Sequence, residues 1–98
     1  MFSNELTEAQ TERLAILLEE LGEAQQAIGK ILRHGYHSWD PTVVSNCTNI
    51  DDLVKELGDV IYAIEFLCSS GDLDYKAIQR RSSEKCEKIK PYLHHQVG

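Results

Sequence analysis

Two acidic groups have spacing that could do chemistry: Glu19-Glu20-Leu21-Gly22-Glu23 and, later, Glu56-Leu57-Gly58-Asp59. At about 100° per residue, a helix carries Glu20 and Glu23 on one side, about 60° apart. Ile16 and Ala27 share that row, so the acids have apolar neighbours a turn away on either side and the row is expected to face protein. Glu56 and Asp59 repeat the arrangement, flanked on neighbouring rows by Leu53, Val60, Ala63 and Phe66. Packing the two helices together would gather four carboxylates in a partly buried space, where protons or divalent cations must offset their repulsion. A lone acidic pair at this spacing is ordinarily a solvated helix surface with Glu–Lys partners. Two pairs on consecutive helices, each within an apolar row, point to a site instead. The donors are all hard oxygen. No Glu-x-x-His pair is present for a di-iron centre, and no His or Cys shares these faces for zinc. Mg²⁺, or Mn²⁺ as its substitute, suits such a set, with water and phosphate completing the shell.

Other residues are candidates for holding an anionic substrate. Lys30 lies near the face of Glu23, two turns on, and Arg33 and His34 follow it. Lys30 could reach a phosphate or remain a solvated lysine. Arg81 and Lys85, four apart, could close over a phosphate chain or pair with Glu84 and Glu87. Tyr62 follows Asp59 by three residues and could touch sugar or phosphate, or simply pack. Trp39, the only tryptophan, could stack on a base or pin its loop. His94 and His95 are adjacent and do not share a helix face, which argues against a metal pair.

The elements that must position these residues follow a 3.6 period throughout, so the class is all-α. Thr7 and Gln10 form a candidate capping box opening a helix of about residues 8–34. Its apolar positions are Leu14, Leu17, Leu18, Leu21, Ala24, Ile28, Ile31 and Leu32, and Gly35 is a plausible end. Gly22 and Gly29 lie inside it, which suggests a close approach by another helix. Residues 35–49 form a long loop, of a kind often functional, with a turn of helix expected after Pro41. A second helix, about 50–70, follows a cap at Thr48 or Asn49, with Leu53, Val54, Leu57, Val60, Ile61, Ile64, Leu67 and Cys68 inward. A third, about 74–90, starts at Asp72 or Asp74 and stops at Pro91; its apolar face (Tyr75, Ile78, Cys86, Ile89) is thin. The whole reads as one domain over residues 1–98.

Composition sets the outer bounds. The chain has 98 residues, 16 acidic against 10 basic, and a formal net charge of -6. No basic face for nucleic acid is evident. Three cysteines without a CxxC argue against a disulfide framework or a zinc site and suit reduced thiols, buried or half-buried, in the cytoplasm. The start of the chain does not read as a signal peptide, and no apolar run approaches the roughly 20 residues of a membrane span. A domain this short is marginal alone. Three helices, one of them thin, enclose a four-carboxylate site poorly, so a homodimer or a dimer of dimers is expected.

The pattern EExxE followed by ExxD on the next helix resembles the all-α nucleoside triphosphate pyrophosphohydrolase superfamily, which includes MazG, dimeric dUTPases and dCTP pyrophosphatases. The segments QAIGKILRHG (Gln26–Gly35), ELGDVIYAI (Glu56–Ile64) and KPYLHHQ (Lys90–Gln96) are similar to the short MazG-like proteins often encoded by bacteriophages. The resemblance covers about residues 8–96. It departs from many members in a long spacer between Glu23 and Glu56, so loop contacts to substrate do not transfer. The resemblance implies hydrolysis of a (d)NTP to the monophosphate and pyrophosphate, with Glu20, Glu23, Glu56 and Asp59 holding Mg²⁺ that neutralises phosphate and activates water. By the same resemblance Glu19 binds a further metal, accepts a proton from the water, or is structural. A phage-encoded copy would act in the host cytoplasm, adjusting or cleaning the nucleotide pool. The segment KILRHG is also similar to relatives acting on guanine triphosphates. Two rival readings stand beside this one: a non-enzymatic helical dimerisation module, and a nucleoside diphosphate or monophosphate phosphohydrolase.

Overall fold

A side-chain cap starts each α-helix among the described residues. In this computed structural model, which describes residues 3–42 and 47–96, α1 spans Glu8–His34. Thr7 Oγ1 accepts from the Gln10 N–H at 3.0 Å, and Gln10 Oε1 accepts from the Thr7 N–H at 2.9 Å, a reciprocal box that satisfies two orphan donors. Gly35, at φ 88°, ends α1 with its N–H on the Ile31 carbonyl. α2 spans Asn49–Ser69 and opens with a second box, between Thr48 and Asp51. α3 spans Tyr75–Ile89 behind Asp74, whose side chain accepts from the Lys76 N–H. A 3₁₀ turn, Lys90–Tyr92, follows at Pro91. No strand occurs among the described residues. The fold is all-α.

α1 and α2 pack against each other, and small side chains set the contact. Ala24, Ala27, Ala63 and Leu67 are the buried apolar residues among those described. This differs from packing through leucine-rich faces. Leu14, Leu18, Leu21, Ile28 and Leu32 on α1 and Val54, Leu57 and Ile61 on α2 remain exposed, Leu32 at 82% and Leu18 at 74%. A helix pair can bury one stripe of each partner, and the row carrying acids and alanines takes that place. Nor does the chain bring a helix against its interior glycines: an added Cβ at Gly22 or Gly58 would meet nothing within 4 Å, and at Gly29 only the side chain of Arg33. Cys47 and Cys86 are exposed, and Cys68 alone is half-buried, because the elements that carry the first two cover little surface.

α3 makes almost no contact with the α1–α2 pair. Its exit is nevertheless fixed. Gly71, at φ 87°, turns the chain, and the N–H groups of Asp72 and Leu73 both donate to the Leu67 carbonyl, at 2.9 and 3.4 Å. Arg13 of α1 grips Asp72 with two bonds, Nε at 2.6 Å and Nη2 at 3.1 Å, while its guanidinium lies 5.9 Å from the Phe66 ring centroid. The resulting shape is open. The radius of gyration is 17.3 Å, against about 13 Å for a compact 100-residue domain.

Candidate metal centre and nucleotide cleft

The four acids meet because α1 and α2 run antiparallel with their polar rows facing. On α1 the row reads Glu20, Glu23, Ala27, Lys30; on α2 it reads Asn49, Asp52, Glu56, Asp59, each step three or four residues. Glu20, Glu23, Glu56 and Asp59 each offer an oxygen, and these oxygens all lie within 4.8 Å of one another. All four residues are half-buried. Oε2 of Glu20 and Oε2 of Glu56 are buried without any hydrogen-bond partner. Unsatisfied buried carboxylate oxygens are costly, and two in one cluster fit a cation or proton between them. The Glu23 carboxyl is held above the ordinary glutamate range, first by a hydrogen bond shared with Glu56, then by the negative charges of Glu20 and Glu56. The crowding of like charges thus favours the neutral form of Glu23, and a divalent ion would relieve the same crowding. All-oxygen donors without His or Cys fit Mg²⁺ or Mn²⁺.

Lys55 approaches the cluster from the solvent side, its Nζ 3.4 Å from Glu56 Oε1 and 3.3 Å from Asp59 Oδ2. The lysine is exposed and the pair is weak. A cation entering the cluster can displace it.

Beyond the acids lie two adjoining cavities. One, of about 410 Å³, runs from Glu23 and Glu56 past Gln26 and Lys55. The other, of about 340 Å³, includes Arg33, His34, Trp39 and Asp40. Lys30, Asn49 and Asp52 line both. The second cavity exists because the loop after α1 is stitched to the start of α2. The Asn49 N–H donates to the Ser38 carbonyl at 2.8 Å, the Ile50 N–H to the Tyr36 carbonyl at 2.9 Å, and Asn49 Nδ2 to the Gly35 carbonyl at 3.1 Å. These bonds hold Trp39 beside α2. Asp40 accepts from the Thr42 N–H and hydroxyl, which hold its carboxyl below the usual range.

The candidates thus divide. Lys30, Arg33 and Trp39 line the cleft. Glu19 is exposed, beside the four-acid cluster and outside it. Tyr62 is exposed, its ring 5.9 Å from that of Phe66, and lines neither cavity. Arg81 and Lys85 lie on α3, away from the cleft of their own chain. The turn of helix expected after Pro41 falls partly on residues 43–46, outside the described residues. Sequence reasoning passes over Asn49, Asp52 and Lys55 as site residues. The signal was available: 49, 52, 56 and 59 form one continuous row.

A paired acidic motif on antiparallel helices, opening on a cleft with cationic and aromatic walls, can be compared with known domains. The profile of the MazG nucleotide pyrophosphohydrolase domain matches residues 8–94. The chain belongs to the MazG family. No curated protein and no solved structure matches it. Membership brings with it a nucleotide substrate and, in general, nucleotide pyrophosphohydrolase chemistry. The acidic cluster of this MazG domain lies where a metal could meet that substrate. No described helix is long and apolar enough to cross a membrane.

Proposed function

We propose that this MazG domain hydrolyses a nucleoside or deoxynucleoside triphosphate to the monophosphate and pyrophosphate, using Mg²⁺ with Mn²⁺ as substitute. The observation that carries the reading is the convergence of four carboxylates within 4.8 Å, two with buried, unpartnered oxygens. Glu20, Glu23, Glu56 and Asp59 would hold the metal. When bound, it would neutralise phosphate oxygens and make water a better nucleophile. Glu19, exposed next to the cluster, takes the proton from the attacking water, and Glu20 orients the reacting phosphate through its place in the ligand set. Lys30 and Arg33 meet the phosphates along the cleft. Trp39 receives the base on its ring face, whereas Tyr62, outside both cavities of its own chain, has no place in this arrangement.

The activity adjusts or cleans the nucleotide pool in the cytoplasm, that of the host if the protein is phage-encoded. Guanine preference is the narrowest form of the reading and rests on the likeness of Lys30–Gly35 alone. A homodimer, or a dimer of dimers, covers the exposed leucines. The test is a panel of all eight (d)NTPs with Mg²⁺, scored for pyrophosphate. Pyrophosphate release supports the reading, whereas orthophosphate alone identifies a phosphohydrolase of a different kind. Glu56→Gln lowers turnover at least about 100-fold with the helical signal intact, given that each ligand is needed to fix the metal. Full activity in that variant refutes the ligand set. A chain indifferent to Mn²⁺ and nucleotide in a thermal melt is a dimerisation module instead.

A further inference from the structure

Basic residues on these helices pair with acids nearby in sequence, and one such pairing differs from the rest. Lys55, on α2, reaches Glu56 Oε1 at 3.4 Å and Asp59 Oδ2 at 3.3 Å. Arg81 with Glu84 and Lys90 with Glu87 are pairs of similar spacing, but their acids lie open to solvent. Those two carboxylate side chains are 59% and 73% exposed, against 16% for Glu56. Glu56 also divides its oxygens. Oε1 takes the lysine, while Oε2 is buried without a partner. A single cation on the outside therefore ties together the two α2 acids whose oxygens converge with those of Glu20 and Glu23. The position of Lys55 on its helix allows this. It lies about 40° from Asp59 and about 60° from Asp52, at the edge of the row that faces α1, and its four-carbon stem lets the ammonium lean over that edge. The Lys55 side chain is itself 67% exposed, so its bonds are weak and readily exchanged. A weak bond suits a cation that holds a place until another arrives.

We infer that Lys55 is a tethered competitor of the metal: it holds the outer side of the acid cluster until a divalent ion displaces it, and it then passes to an anion in the adjoining cavity. Competition follows from shared ligands, because Glu56 and Asp59 are both partners of Lys55 and members of the four-acid cluster. An ion held by those carboxylates neutralises the charge that attracts the ammonium and repels it as a like charge. The cavity wall sets where the ammonium goes. Lys55 lines the space of about 410 Å³ that opens from Glu23 and Glu56, opposite Gln26 and Lys30 of α1. It pairs with no other acid among the described residues, so an anion entering that space is its next partner. Metal and anion binding are then linked. The ion frees the lysine that helps to hold the anion, and by reciprocity the anion keeps the lysine off the acids and raises the affinity for the ion. Bare metal meets a competitor, whereas metal arriving with an anion does not. The use of this exchange in hydrolysis rests on the proposed triphosphate reading, in which the anion is the phosphate chain. The exchange with the ion does not.

The first measurement is Mn²⁺ binding to the full-length, metal-free protein, followed by loss of the free-ion electron paramagnetic resonance signal. Lys55→Gln tightens binding about three- to tenfold, the effect of releasing two exposed pairs. Lys76→Gln, which removes the same charge from α3, leaves it unchanged. Affinity unmoved by Lys55→Gln, or moved as much by Lys76→Gln, overturns the competition. Inorganic tripolyphosphate, with Mn²⁺ in excess, then probes the second half of the exchange. Lys55→Gln weakens its binding about three- to tenfold through the lost charge-assisted bond, opposite in sign to the effect on metal. Tripolyphosphate affinity that is unchanged or raised in the variant overturns the transfer to the anion. Amine acetylation, read by mass spectrometry, examines the wild-type chain without any substitution. Lys55, normalised to Lys76, is labelled at least about twofold faster once Mn²⁺ frees it from its acids, and more slowly again once tripolyphosphate is added. Labelling that does not respond to Mn²⁺ overturns the exchange. A chain that releases no pyrophosphate yet shows this response sinks the hydrolase reading and sustains the exchange; an active chain without the response does the reverse. Circular dichroism confirms that each variant keeps its helices.

Discussion

Leu67, at the base of the α1–α2 pair, has no exposed surface, whereas α3 buries none of its fifteen residues. Both regions are helical, both are capped, and both carry an apolar row. They differ in where that row ends up. In α1 and α2 an alanine-rich row meets its counterpart within the chain and brings the acids with it. In α3 the row meets little among the described residues beyond the 3₁₀ turn that follows it. A capped, amphipathic sequence is therefore enough to make a helix, but it does not assign the helix a partner. That choice depends on which surfaces come within the helix's reach once the chain has turned at Gly71.

The comparison is broken most easily by large-to-small changes. Leu67→Ala should cost about 2–5 kcal/mol, the usual range for a buried leucine. Ile78→Ala in α3 should leave chain stability within about 0.5 kcal/mol under conditions that keep the protein monomeric. Urea titrations of both variants check this, and comparable losses would mean that the two regions fold as one packed unit. Next in size is metal. Mn²⁺ at about 100 times its dissociation constant should stabilise the protein by about 2.7 kcal/mol, and Glu23→Gln should remove most of that gain.

A pH series separates the regions by sign. Arg13 holds the Asp72 carboxyl below its ordinary value, chiefly through their hydrogen bonds. Its contribution is complete above the unfolded aspartate pKa of about 3.9 and disappears as pH falls through the lower folded value. Glu23 is raised, so its contribution is complete below the unfolded glutamate pKa of about 4.3 and disappears as pH rises through the folded value. Metal-free melts should therefore show an acid-side loss that Arg13→Met flattens and a loss toward neutral pH that Glu23→Gln flattens. Divalent metal should also offset the second loss. If the two variants change the same limb, the assignment of one carboxyl is wrong. The smallest effect is expected at Lys76→Gln, exposed near the start of α3: within about 0.5 kcal/mol by thermal melt.

Much of this molecule is legible in residue spacing. The all-α class follows from an unbroken 3.6 period, and the start of α1 from Thr7 and Gln10, whose side chains make both bonds of the box. The meeting of Glu20, Glu23, Glu56 and Asp59 follows from their rows, because two stripes of matching period can face each other along their whole length. What spacing does not reveal is which of two apolar rows packs within the chain. Leu18 and Ala24 are both credible core residues in sequence, and only Ala24 is buried. The placement of Arg81 and Lys85 is hidden for a related reason. Periodicity fixes their face on α3 but says nothing of the direction in which Gly71 and Asp72 send the helix. The stitching of Asn49 to Gly35 and Ser38 depends on loop geometry that no short-range pattern encodes.

Ala24, Ala27 and Ala63 have a consequence for ion choice. With side chains of a single methyl group, they act as a spacer gauge between two rods and so fix the bite of the oxygens mounted on them. Ala27→Val would thicken that gauge next to Glu23, widen the oxygen cage, and move preference from a small ion such as Mg²⁺ toward the larger radius of Ca²⁺.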